Sequence, residues 1–191
     1  MDVLSLLPYR RSSKKFGEIA PNAEQLKIMF QSALRVPDHG RLKPYRFVVI
    51  EKQAMGSLEE LLKASANEFE MGKEARQKAE NLCQRSPMMI GVVAKIAENI
   101  PKVPAWEQMI SAGCATYALQ LAANAQGFET CWISNQWIKG SALRHAFQCE
   151  DDEQIIALLM IGSPCDSTQI SLASQPEEIE NFVYYLNGSQ P

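Results

Sequence analysis

Residues 106–127 (WEQMISAGCATYALQLAANAQG) run for twenty-two positions without a proline and close on a glycine. At 1.5 Å per residue the run predicts a helix of about 33 Å, long enough to cross a small domain. Its polar positions Gln108, Thr116, Gln120 and Asn124 are separated by multiples of four, so they form one narrow stripe on an otherwise apolar cylinder. A helix that is apolar on nearly every side is buried. Small residues fill its middle (Ser111, Ala112, Gly113, Cys114, Ala115, Ala118), and Gly113 costs about 1 kcal/mol against alanine inside a helix. Close packing is therefore expected there, against another subunit or within the core of a monomer. Glu107, Gln108, Gln120, Asn124 and Gln126 interrupt the run too often for a membrane span.

Around this central helix the pattern predicts the remaining elements. Asp2 can cap a short helix carrying Val3, Leu6 and Leu7. Asn22 with Glu24 and Gln25 starts a second, whose apolar face is Leu26, Met29, Phe30, Ala33 and Leu34 and which Pro37 ends. The aromatic and β-branched run 45–51 (YRFVVIE) reads as a strand. Residues 54–86 are helical in composition and heavily charged, a solvent-facing cover. Pro87 introduces the apolar run 88–96, which suits a buried strand. Residues 128–134 follow Gly127 as a short inner strand, Ser141 can cap a helix reaching about residue 149, and 155–161 (IIALLMI) is the last core strand. From residue 167 the tail is polar except for Phe182, Val183, Tyr184, Tyr185 and Leu186, which need a surface to pack on, in the same chain or in a partner. Four strands interleaved with helices give an α/β or α+β sandwich, and 191 residues suit one domain spanning the whole chain.

A net charge of -3 and a pI near 5.5 argue against a nucleic-acid or anionic-membrane surface. The five cysteines are widely spaced without any CxxC, which fits reduced thiols in a cytoplasm rather than a disulfide framework or a zinc site. An acid ahead of the first bases is the reverse of a secretion signal, so a cytoplasmic protein is expected. GxGxxG, GxxxxGK[ST], HExxH and GxSxG are all absent, and neither His39 nor His145 has acids or cysteines at ligand spacing, so no metal is expected. Two basic segments stand out. Arg10, Arg11, Lys14 and Lys15 enclose Ser12 and Ser13, a set that suits a phosphate and equally a solvated surface patch. Asp38 and His39, in a loop with further bases, serve either as turn residues or as donors to a bound ligand. Trp132 reads as core.

These segments also resemble a known family. LLPYRRSSKKF is similar to the RRSxRxF opening of the FMN-dependent nitroreductases, with Lys14 in the place of the second arginine and Phe16 kept. RVPDHGRLKPYRFVVIE resembles their loop and strand, usually closer to APSxxNxQPWxF; Arg35, Pro37, Asp38, His39, Pro44 and Phe47 match the smaller branch of YdjA-like NAD(P)H nitroreductases. VPAWEQMISAGCA, AANAQGF and CWIS continue the likeness in register.

The resemblance implies an α+β fold, a three-layer α/β/α sandwich with a mixed sheet, and a homodimer whose interface is largely the central helix. It implies two FMN molecules between the subunits, a hydride taken from NADH or NADPH, and electrons passed to a small acceptor such as a nitroaromatic. The flavin carries that chemistry, so no catalytic side chain is expected. By position, Arg10, Arg11 and Ser12 would contact FMN, chiefly at its phosphate, with Lys14 a neighbour. Arg35 and His39 would add the loop contribution and Trp132, Ile133 and Ser134 that of the strand. An NAD(P) segment would fall on Ala122, Ala123, Asn124, Ala125, Gln126 and Gly127. Lys43 and Tyr45 depart from the glutamine and tryptophan common beside the flavin. The rival reading is a flavin-binding dimer without turnover, such as a sensor.

Overall fold

The architecture follows from the period-two alternation of four strands: β1 (Tyr45–Glu51), β2 (Met88–Lys95), β3 (Glu129–Ile133) and β4 (Glu153–Gly162). A computed structural model describes residues 3–165 and 178–186. The strands form one sheet in the order β1-β2-β4-β3, and each neighbouring pair is antiparallel. The parallel pair that the expected mixed sheet requires does not occur among the described residues. β3, expected inside, is an edge strand.

Because successive side chains leave a strand on opposite faces, Met89 and Val93 of β2 enter one core while Ile90, Val92 and Ala94 enter the other. β4 needs a correction to keep this phase. Its pairing passes from Ala157 opposite Val92 to Ile155 opposite Val93, so Ile156 is the extra residue of a bulge. Past the bulge, Leu158 and Met160 share the core of Met89, and Ala157, Leu159 and Ile161 share that of Ile90.

Helices α2 (Ala23–Ala33) and α5 (Ala105–Ala125) cover the second face, with the short α1 (Val3–Leu6) resting on α5. Helices α3 (Met55–Glu68), α4 (Gly72–Arg85) and α6 (Ser141–Ala146) cover the first. The result is the expected three-layer sandwich. Asn22 caps α2 with a full capping box: Gln25 N donates to Asn22 Oδ1 at 3.0 Å and Asn22 N donates to Gln25 Oε1 at 2.9 Å. Residues 54–86 are more than a cover, since two helices break where Glu70 and Gly72 take φ of +52° and +83°. Their inner faces bury Leu58, Leu62, Ala66, Ala75, Ala79, Leu82 and Cys83. Ser141 does not cap α6; its backbone N and Oγ donate to Glu68 Oε2 of α3, and the helix ends at Ala146. The proposed cap Asp2 lies outside the described residues. In the tail, Phe182, Tyr184, Tyr185 and Leu186 are exposed.

The central helix is buried along much of its length, as expected, and its polar stripe faces inward beside Ala112, Ala115 and Leu119. Gln108 accepts from Ala97 N at 2.9 Å and donates to Ala97 O at 2.8 Å and Val103 O at 3.3 Å. Thr116 Oγ1 donates to Ala112 O, Gln120 Nε2 to Thr130 Oγ1 on β3, and Asn124 Nδ2 to Phe128 O. The apolar side points outward: Trp106, Ile110 and Tyr117 are 63%, 56% and 40% exposed.

One ion pair ties β1 to the approach of β4. Arg46 Nε and Nη2 donate to the two carboxylate oxygens of buried Glu153 at 2.9 and 2.6 Å, and Nη2 also reaches Phe147 O at 2.8 Å. The Arg46 hydrogen bonds hold the Glu153 carboxyl below its ordinary value, against the opposing effect of burial. A carboxyl with a lowered folded value stabilises the protein above its unfolded value, and that contribution is lost as pH falls through the folded one. Urea unfolding should therefore show stability declining below about pH 5. Glu153→Gln should cost about 1–3 kcal/mol at neutral pH and flatten this acid limb. An acid limb of the same slope in the variant would assign the decline to other carboxylates.

Candidate functional site

The basic opening is fixed by the free edge of β3. Ser13 N donates to Thr130 O at 2.9 Å, Ser13 Oγ donates to Lys15 O at 2.8 Å, and Phe16 is buried beyond them. This anchors the segment through main chain and a serine hydroxyl, leaving the basic side chains free for other work. Arg10 N donates back to Leu6 O at 2.9 Å, and the Arg10 guanidinium carbon lies 5.9 Å from the Tyr117 ring centroid on α5. Arg10 Nη1 is buried without a hydrogen-bond partner among the described residues, and so is Asn124 Oδ1. Leaving such a group unpaired costs about 1–3 kcal/mol.

Arg10, Arg11, Asn124, Gly127 and Glu129 line one cavity of about 390 Å³. An unpaired donor and an unpaired acceptor thus belong to residues of one cavity, and its bases come from the opening segment. Lys14 and Arg85 stand near Cys131 on β3: their charges, with that of Arg10, oppose the burial that pushes the Cys131 thiol up. Arg85, the last residue of α4, was not singled out from the sequence. Its only sequence signal is a base in a final helical turn.

The strand candidates diverge at β3. Trp132 packs half-buried against the core of the α2–α5 face, with Nε1 buried and without a partner among the described residues. Ile133 packs on the opposite core and Ser134 is exposed. Of residues 122–127, Ala122 and Ala123 belong to the core, and Gln126 Nε2 donates to Ala122 O at 3.0 Å and to Gln25 O at 3.3 Å. Asn124 and Gly127 are the members that line the cavity, Ala125 is exposed, and Gly127 has the left-handed φ of +87° that ends the helix.

Arg35 and His39 lie in a separate region. His39 Nδ1 is 2.6 Å from Glu107 Oε2 in the first turn of α5. Tyr117, under Arg10, is ten residues further along the helix, roughly 15 Å at 1.5 Å per residue. Asp38 organises the loop, its Oδ1 accepting from Leu42 N at 3.1 Å and its Oδ2 from Lys43 N at 2.8 Å. Arg35 and Lys43 line an open groove of about 850 Å³ with Ile28, Gln31, Ser32 and Leu34. Tyr45 is a buried brace: its hydroxyl donates to Ala33 O at 3.1 Å, and burial pushes the phenol up.

One chain therefore carries two clusters along α5, Arg10 with Arg11 and Asn124 near its C-terminal half, and His39 with the Arg35–Lys43 groove towards its start. Residues 7–163 match the model of the nitroreductase family. The chain is 53% identical over 186 residues to a Haemophilus influenzae protein named "Putative NAD(P)H nitroreductase", covering 97% of this chain and 100% of that one. It is 41% identical over 164 residues to the Escherichia coli protein "Putative NAD(P)H nitroreductase YdjA", covering 86% and 89%. Its fold superposes with a TM-score of 0.75 on the FMN and NADPH-dependent nitroreductase NfnB of Sphigopyxis sp. strain HMH, at 15% identity and covering 97% and 99% of the two chains. The chain belongs to the nitroreductase family of oxidoreductases.

Proposed function

We propose that the protein is a homodimeric FMN flavoprotein that oxidises NADH or NADPH and reduces a small acceptor such as a nitroaromatic. The observation that carries this reading is the buried, unpaired guanidinium N–H of Arg10, a residue of the cavity that also holds Arg11. A phosphate oxygen suits such a donor, since guanidinium groups fork onto phosphate. Arg10, Arg11 and Ser12 would hold the FMN phosphate and Lys14 would add charge. Trp132 Nε1, a second unpaired donor, with Ile133 and Ser134 would flank the flavin, and Asn124 and Gly127 offer the end of residues 122–127 to the dinucleotide. Bound FMN would accept a hydride from the nicotinamide and hand the electrons on. The chain's own task is to hold, orient and shield the reactants.

The separation of the two clusters along α5 supports a site completed by a partner, with Arg35 and His39 reaching the flavin held by the other subunit. The exposed stripe Trp106, Ile110 and Tyr117 supports the same arrangement, because three large apolar groups on one helix face are what a partner covers. Gly113 lies on that stripe, and a Cβ added there would meet nothing within 4 Å. Packing among the described residues gives no reason for this glycine; close approach of a second backbone would. The exposed aromatic tail is a further candidate for contact with the partner. No described helix is long and apolar enough to cross a membrane, which suits a cytoplasmic enzyme.

Three measurements test the reading. The purified protein should show a flavin absorption spectrum and oxidise NAD(P)H with an acceptor; flavin without turnover would favour the sensor. Gly113→Leu, whose Cβ meets nothing within 4 Å among the described residues, should convert the dimer to monomer in light scattering and weaken flavin retention. A dimer that survives this change places the interface elsewhere.

The third measurement concerns the phosphate. Hydrogen bonds to a charged group contribute about 1.5–3 kcal/mol. Arg10→Ala should therefore weaken FMN binding by about tenfold to 150-fold and riboflavin binding far less. Lys73→Ala, with the same change in net charge, should alter neither. Equal losses for FMN and riboflavin would mean that Arg10 holds the ring or the fold.

A further inference from the structure

The groove lined by Arg35 and Lys43 holds two cations over an apolar floor. Ile28 and Leu34 supply that floor and are 50% and 44% exposed; Gln31 and Ser32 border it. Neither cation forms an ion pair among the described residues. The nearby acid, Asp38, has both oxygens engaged by the backbone N–H groups of Leu42 and Lys43. It fixes the main chain and leaves the ammonium of Lys43 unmatched.

Lys43 also sits in an uncommon backbone state. Its φ is +47°, and Gly40 and Arg41 precede it at +76° and +55°. A non-glycine residue in the left-handed region costs of order 1 kcal/mol and persists where the surroundings over-determine it. Here they do. Asp38 clamps the amide of Lys43, Pro44 is buried, and Tyr45 is fixed to Ala33 O on α2, the helix that forms the groove's other wall. The loop is built to hold a lysine stem at the mouth of the groove.

We infer that Arg35 and Lys43 make this protein select acceptors that carry a carboxylate on an aromatic ring, the ring lying on Ile28 and Leu34 and the carboxylate between the two cations. The inference rests on the flavoprotein reading, in which Arg35 stands at the flavin; arginine's five donors allow it to serve cofactor and acceptor together. Lys43 is the discriminating group. A glutamine at this position would leave a neutral site. Ile28 and Leu34 are half-exposed, so a ring lying on them displaces water from beside the pair and strengthens the attraction for an anion.

The test compares 4-nitrobenzoate with 4-nitrobenzamide, which is nearly the same shape but neutral, in wild type, Lys43→Gln, Lys43→Arg and Lys73→Ala. Each probe takes two electrons and two protons, as hydride from NADPH and a proton from solvent, and gives the nitroso compound and water. The wild type should favour the anion about tenfold in kcat/KM, as one effective charge contact allows. Lys43→Gln should remove most of that ratio through KM, Lys43→Arg should retain it, and Lys73→Ala should leave it unchanged. Binding gives an independent readout: calorimetry on the FMN-loaded, oxidised protein should show benzoate weakened about tenfold by Lys43→Gln relative to benzamide. An identical ratio in wild type and Lys43→Gln overturns the inference. So does a penalty that falls on the KM for NADPH, which would assign the cation to the donor's phosphates. If flavin binds and nitrobenzamide is reduced, such a result removes this inference alone; a protein that binds no flavin removes the underlying reading and this one with it.

Discussion

The rest of the structure depends on where α5 spends its hydrogen bonds. Gln108, Thr116 and Gln120 are buried at 1%, 0% and 3% exposure, and each is satisfied by its own chain. A buried amide without partners would cost about 1–3 kcal/mol, so these contacts dictate how the helix is rotated. Gln108 ties down the approach through Ala97 and Val103, and Gln120 binds Thr130, the residue whose carbonyl receives Ser13 N. The basic opening is thus positioned, through two hydrogen bonds, by a glutamine in the C-terminal part of the helix. Turning the polar stripe inward also sends Trp106, Ile110 and Tyr117 outward, and Tyr117 is the ring under Arg10. One rotational choice sets both the candidate interface and the candidate phosphate site.

Electrostatics follows the same division. The chain is acidic overall, with a net charge of -3, yet the opening and the loop after α2 carry bases that have no acid partner among the described residues. Where bases serve structure, they are matched: Arg46 is locked onto Glu153, and Lys63 pairs with Glu59 and Glu60 on α3. Arg10, Arg35 and Lys43 have no such acid among the described residues. A base left unmatched beside a cavity in an acidic protein is disposed to meet an anion brought from outside.

Much of this was legible in the sequence, and the exceptions have physical causes. Strand 45–51 was read to the residue, because it is rich in aromatic and β-branched residues, and Asn22 with Gln25 announced a capping box that formed. The direction of the polar stripe of α5 was not legible: four polar residues on an apolar helix mark an outward stripe and an inward hydrogen-bonding seam alike, and partners such as Ala97 and Thr130 are contacts of the fold. The edge position of β3 was hidden for a similar reason, since Thr130 is fully buried by the opening segment and α5 although its strand has one neighbour. Residues 54–86 looked like a cover because their charges outnumber the apolar positions that supply the core. At the site, the basic opening was visible as spacing, whereas the place of Arg85 near Cys131 depends on where α4 ends in space.

The loop after α2 shows how such a fold can vary its chemistry without endangering itself. Its conformation is set by Asp38, Pro44 and Tyr45, through two amide hydrogen bonds, a buried ring and a hydroxyl on Ala33 O. None of these contacts uses the side chain of residue 43. The left-handed backbone there is held from both sides, so exchanging glutamine for lysine changes the charge at the groove and leaves the loop's own bonds intact. Position 45 is the opposite case. Its ring is buried among Ala33, Phe47 and the α2–α5 core, and a change of size there would be felt through the packing of α2. Positions 43 and 45, two residues apart, are therefore held differently: the side chain of one is free of the loop's own contacts, and the other is bound to the core.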